Sequence, residues 1–61
     1  MGQDIRFRDA DRVLRGNGYV HNRTRGSHHL YVKDGVSIVI NNRTNMMVWK
    51  RLCKENELNI Y

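Results

Sequence analysis

Proline is missing from this chain altogether, and cysteine occurs once, at Cys53. With no proline and five glycines there is no Pro-rich or otherwise low-complexity tract, so the composition is that of a globular domain. A lone cysteine excludes an internal disulfide, which rules out a stapled secreted mini-protein and leads us to expect a reducing, intracellular setting. No apolar run approaches the length of a membrane span, and the amino terminus MGQDIRFR is charged, so neither a leader nor a membrane anchor is expected. Met1-Gly2 opens an acylation pattern, but that pattern wants Ser or Thr at the sixth position and finds Arg6. At 61 residues the chain has room for one domain, 1–61, with a single small core.

What the chain does have is basic charge. Eleven Lys and Arg against six Asp and Glu leave a formal +5. A polyanion, either nucleic acid or an acidic protein, is compatible with that excess, and so is a basic surface that only keeps a small protein soluble. Asn-Arg-Thr occurs at 22–24 and again at 42–44, which matches a glycosylation pattern and means nothing in a cytosolic chain.

Hydrophobic spacing predicts two helices around a strand-rich middle. Ala10, Val13 and Leu14 share one face of a helix running from Arg8 to Gly16, with Phe7 just upstream. Asp9 and Asp11 sit in its first turn, where the dipole favours anions, and Asn17-Gly18 ends it. Tyr19–Thr24, Ser27–Lys33 and Val36–Asn41, rich in Tyr, Val, Ile and Thr, read as three antiparallel strands. Arg25-Gly26 is the expected first junction. Asp34-Gly35 is the second, and is the stronger hairpin signal because a type I′ turn needs positive φ at both central positions. Thr44 or Asn45 can cap a second helix with the apolar stripe Val48, Trp49, Leu52 and Cys53, opposite Lys50, Arg51 and Lys54; it is expected to fray after Asn56. The predicted fold is α+β with the order α-β-β-β-α: a three-stranded antiparallel sheet with two helices on one face. Its other face is free for a partner.

Most chemical constellations are absent. Asp9 and Asp11 face different ways on a helix and make no carboxylate dyad. His28 and His29 are strand neighbours on opposite faces, so a metal shared among His21, His28, His29 and Cys53 is not expected. Ser27 lacks a nucleophile-elbow pattern, Cys53 lies in a helical apolar stripe, and no glycine-rich phosphate loop is present. No cofactor is expected.

Three segments, covering nearly the whole chain, carry a family resemblance. The first is the short helix into Leu14 and the Gly18-Tyr19 pair. The second is Arg23 followed by Arg25-Gly26-Ser27-His28, with Tyr31 beyond. The third is Asn45-Met46-Met47-Val48-Trp49 leading to Arg51-Leu52, Lys54-Glu55-Asn56 and Leu58. In this order they resemble the HicA toxins, small ribonucleases of bacterial type II toxin-antitoxin systems. The chain departs from the family pattern after the third strand, where Ile40-Asn41-Asn42-Arg43-Thr44 stands in place of a Val-Pro-His segment and a longer basic loop. The resemblance implies a fold similar to a double-stranded RNA-binding domain and a metal-independent endoribonuclease, an mRNA interferase acting in the cytoplasm. Its partners would be mRNA and a cognate HicB-type antitoxin. His28 would be the catalytic histidine, with Arg23, Arg25, Gly26, Ser27 and Lys33 as RNA-binding residues.

An imidazole suits that task, because at neutral pH it can take the proton of a ribose 2′-hydroxyl and start attack on the adjacent phosphodiester without a metal. Gly26 would let a phosphate approach the backbone while Arg23, Arg25 or Lys33 neutralise developing charge. His29 and Tyr31 lie opposite His28, one expected to pack and the other to be a surface or RNA-contacting residue. Leu30 and Val32 share the side of His28, so periodicity leaves open which face is buried. The alternative is a non-catalytic double-stranded RNA- or DNA-binding module, and a third possibility is a protein-interaction domain. Lys50-Arg51 fall mid-helix while 44–48 are uncharged, which favours the enzyme over the double-stranded RNA binder.

Overall fold

The computed structural model describes residues 3–60, so the acylation pattern at Met1-Gly2 lies outside the described residues. The elements are β1 (Asp4–Arg6), α1 (Phe7–Gly16), β2 (Val20–Arg25), β3 (His28–Lys33), β4 (Val36–Ile40), β5 (Arg43–Asn45) and α2 (Met46–Glu55). The order β2-β3-β4 forms the expected three-stranded antiparallel sheet. β1 and β5, which the sequence pattern did not predict, pair antiparallel as a separate ribbon. No described helix is long and apolar enough to cross a membrane.

Both hairpins follow from local backbone chemistry. Asp34 (φ 47°) and Gly35 (φ 81°) both take positive φ, as a type I′ turn requires. At the other hairpin Arg25 pairs with His28, so the turn is Gly26-Ser27 and not the predicted Arg25-Gly26. Only its first central residue, Gly26 (φ 61°), is left-handed, the pattern of a type II′ turn.

α1 begins one residue earlier than expected and takes in Phe7, which leaves Asp11 in the second turn, where it pairs with Arg15 at 2.8 Å. Asn45 caps α2 by accepting from the Met47 amide at 2.8 Å. α2 ends at Glu55 with Asn56 as its C-cap, and the end is closed by backbone hydrogen bonds. Glu57 adopts φ 52°, the Leu58 amide donates to the Cys53 carbonyl at 2.9 Å and the Glu57 amide to the Lys54 carbonyl at 3.3 Å, the paired closure of a Schellman motif. Asn17 then clamps the following segment: its Nδ2 donates to the Asn59 carbonyl and its Oδ1 accepts from the Asn59 amide, both at 2.8 Å.

Ala10, Val13 and Leu14 of α1 and Trp49 and Cys53 of α2 pack with Tyr31, Ile38 and Ile40 of the sheet in one core, so both helices cover the same sheet face. Val48 departs from its predicted place in the stripe. It is 55% exposed, because α2 turns only the Trp49–Cys53 edge and part of Leu52 inward.

Candidate active site

The burial pattern settles which side of β3 is which. His29 and Tyr31 face the helices and are buried, whereas His28 is exposed and Leu30 half-exposed on the uncovered side. Both residues that sequence reasoning divided between core and surface are therefore inside.

His29 is fully engaged there. Its Nε2 lies 2.7 Å from Asn42 Oδ1, its Nδ1 lies 3.1 Å from Thr24 Oγ1, and its ring stacks on Phe7 at 4.1 Å between centroids. Thr24 Oγ1 also lies 3.0 Å from His21 Nε2. A hydroxyl has one proton to give, so with both rings neutral Thr24 donates to His29, accepts from His21, and His29 donates to Asn42. One ring thus ties α1, β2 and the β4–β5 junction together. Neither of its nitrogens is free for chemistry.

Tyr31, on the same face, donates its hydroxyl to Asp11 of α1, whose Oδ1 also accepts from Arg15. Burial raises the Asp11 carboxyl, but the hydrogen bonds from Tyr31 and Arg15, with the Arg15 charge, outweigh it and hold the group below its ordinary value. The Tyr31 phenol is pushed well above its own ordinary value, first by desolvation and then by Asp11. Burial also raises the Cys53 thiol, which suits an inert core residue and not a nucleophile.

The uncovered face is assembled by an irregularity in β2. His21 pairs with Tyr31, yet Arg23, not Asn22, pairs with Leu30, so Asn22 is an extra bulged residue. Strict alternation from buried Tyr19 and inward His21 would turn Arg23 and Arg25 into the core. The bulge reverses the parity: Thr24 points inward to His29, and the two arginines point outward, Arg23 beside Leu30 and Arg25 beside His28. Arg23, Arg25, His28, Leu30 and Val39 line a cavity of about 200 Å³ with an apolar floor and a cationic rim. His28 is the one imidazole among the lining side chains. Its ring has no hydrogen-bond partner among the described residues. Gly26, at the turn beside it, has open space where a Cβ would project, so a phosphate can approach the backbone there.

Sequence reasoning placed six residues in this site, and the structure brings together four of them, Arg23, Arg25, Gly26 and His28. Ser27 is exposed at the same turn. Lys33 does not belong to the group: it closes the far end of β3, donates to the Asn17 carbonyl at 2.6 Å and lies 5.6 Å from the Tyr19 ring centroid. Its ammonium therefore serves the carboxyl end of α1, where carbonyls need a donor. A second cavity, of about 310 Å³, lies at that end with Asp34, Glu55 and Glu57 on its wall. Sequence reasoning missed the floor residues Leu30 and Val39, because their exposure follows from which sheet face is covered.

A small α+β protein that presents one unengaged histidine together with two arginines on the uncovered face of its sheet is the class that fold and site define. Scans of the chain against protein-family models, curated proteins and solved structures found no match.

Proposed function

We propose that this chain is a metal-independent endoribonuclease of the HicA kind, a toxin that cleaves mRNA through His28 and is held in check by a HicB-type antitoxin in the cytoplasm. The observation that carries the reading is the bulge at Asn22, which sets Arg23 and Arg25 beside His28 on the open face of the sheet. The α-β-β-β-α core order, with the ribbon β1-β5 added, supports a fold similar to a double-stranded RNA-binding domain.

In the proposed reaction His28 takes the proton of a ribose 2′-hydroxyl. The 2′-oxygen then bonds to the adjacent phosphorus, and the bond from phosphorus to the 5′-oxygen breaks. The products are a 2′,3′-cyclic phosphate and a 5′-hydroxyl, whose proton comes from the imidazolium or from water. Arg23 and Arg25 offset the charge that builds on the phosphoryl oxygens, and the Gly26 turn leaves that phosphate room.

One observation favours a second reading, a nucleic-acid-binding module: the cavity offers no second proton-exchanging group to act as the acid. His28→Ala separates the two. The enzyme reading expects RNA cleavage to fall roughly 10²–10⁴-fold with RNA affinity and melting temperature retained, and growth arrest on unpartnered expression to disappear with it. Wild-type cleavage should leave cyclic phosphate ends and survive EDTA. A loss under about tenfold at position 28, or inhibition by chelation, defeats the mechanism.

A further inference from the structure

Arg6 and Arg43 stand directly opposite each other in the ribbon β1-β5. Ile5 and Thr44, the pair beside them, turn inward, so both guanidinium groups project from the outer face, and both residues are exposed. Like charges placed directly across a strand pair repel. Among the described residues neither has an acid within ion-pair distance, the one ion pair being Arg15 with Asp11. Asp4 follows on the same outer face but pairs with Asn45. Arg6 is poorly placed for a second reason: it is the N-cap of α1 and makes no side-chain capping bond, at a position that favours an oxygen acceptor and disfavours a cation. Local rules broken without compensation inside the fold are expected where a ligand supplies the compensation.

We propose that Arg6 and Arg43 form a phosphate clamp that holds the RNA strand where it leaves the His28 cavity. The inference rests on the RNA reading of that cavity and adds a second point of attachment to it. Continuity is the supporting geometry. β4 ends at Ile40, which pairs with His29, and Arg43 follows three residues on, with Asn42 bonded to the inward-facing His29, so the clamp lies at the same end of the sheet as Arg25 and the Gly26 turn. Charge agrees with that placement. The opposite end of the molecule sets Asp34, Glu55 and Glu57 around Lys33, a mixed and predominantly acidic lining less suited to a polyanion than the paired arginines. A strand lying across the open face past Arg23 and Arg25 toward the Gly26 turn reaches the end of the sheet at which the clamp stands.

The test measures binding of a short fluorescein-labelled single-stranded RNA by the His28→Ala chain, which keeps the probe intact, as a function of salt. Adding Arg6→Gln and Arg43→Gln should weaken binding several-fold and reduce the slope of log Kd on log salt by about 1.4, roughly 0.7 for each phosphate no longer neutralised. The melting temperature should hold or rise, because a repulsive pair has been removed. Lys50→Gln with Lys54→Gln removes the same charge from α2 and should change the slope by much less. Equal slopes for the two pairs would show diffuse electrostatics and overturn the clamp. An unchanged RNA slope together with abolished binding to a polyglutamate peptide would give the pair to an acidic protein and overturn it as well. If the parent chain binds no RNA, the reading of the His28 cavity falls first. Should the double variant fail to fold, Arg43→Thr alone, with a strand-favouring residue, is expected to show half the slope change, and no change there also refutes the clamp.

Discussion

Replacing Tyr31 by Phe deletes one hydroxyl from the inner face of the strand that carries His28 on its other side. That hydroxyl donates to Asp11, and a hydrogen bond to a charged acceptor contributes about 1.5–3 kcal/mol net. The Asp11 side chain is 23% exposed and keeps its bond from Arg15 at 2.8 Å, so water and Arg15 recover part of the loss and we expect about 1–2 kcal/mol. A chain of this length has a total stability of roughly 3–9 kcal/mol, and each kcal/mol moves the midpoint by about 4–8 °C, so melting should fall by about 5–15 °C.

Circular-dichroism melts of wild type, Tyr31→Phe, Asp11→Ala and the double variant form a cycle whose coupling should be about 1 kcal/mol on the same hydrogen-bond scale. The pH dependence carries a sign for each partner. Asp11 is lowered on folding, so its contribution is present above the ordinary carboxyl value of 3.8 and is lost as pH falls through the lower folded value. Tyr31 is raised, so its contribution is complete below the ordinary phenol value of 10.0 and is lost as pH climbs toward the higher folded value. Tyr31→Phe should abolish that alkaline component and weaken the acid one, and it should leave the proposed RNA cleavage through His28 unchanged. Coupling under about 0.3 kcal/mol, within the scatter of independent sites, or an alkaline decline that persists in Tyr31→Phe, would refute the reasoning.

Two further outcomes follow from the inner and outer faces. His29→Ala removes a stacked ring and two hydrogen bonds, and should cost about 2–4 kcal/mol, a large part of the total stability, whereas His28→Ala should stay within about 0.5 kcal/mol; urea unfolding of both chains checks the contrast, and equal losses would contradict the assignment of faces. Deleting Asn22 takes out the bulged residue and leaves the other pairs of β2 and β3 in register, so Arg23 and Arg25 should keep the outward parity that the bulge gives them in the full chain, and RNA binding should persist; loss of affinity in a folded deletion chain would refute this register argument.

Residues close together in the chain decided much by themselves. Asp34-Gly35 and Gly26 carry their turn types in backbone chemistry, Ala10, Val13 and Leu14 mark one helix face at any tertiary placement, and Asn45 caps the helix that follows it. The α-β-β-β-α core order and the antiparallel meander follow from such local rules, whereas β1 and β5 do not.

Which face of β3 is buried was not decided at that level, because His29 and Tyr31 alternate with Leu30 and Val32 and either pair suits a core. The choice depends on what α1 offers, namely Asp11 for the Tyr31 hydroxyl and Phe7 for the His29 ring. The position of Arg23 and Arg25 depends on a bulge that period-two reading cannot contain. The ribbon β1-β5 joins three-residue segments far apart in sequence, each too short to show a period of its own. The resemblance carried by Arg25-Gly26-Ser27-His28 named the histidine worth asking about; tertiary packing decided that His28 faces solvent directly across from Arg25, while Thr24 and Asn42 supply polar partners that hold His29 inside.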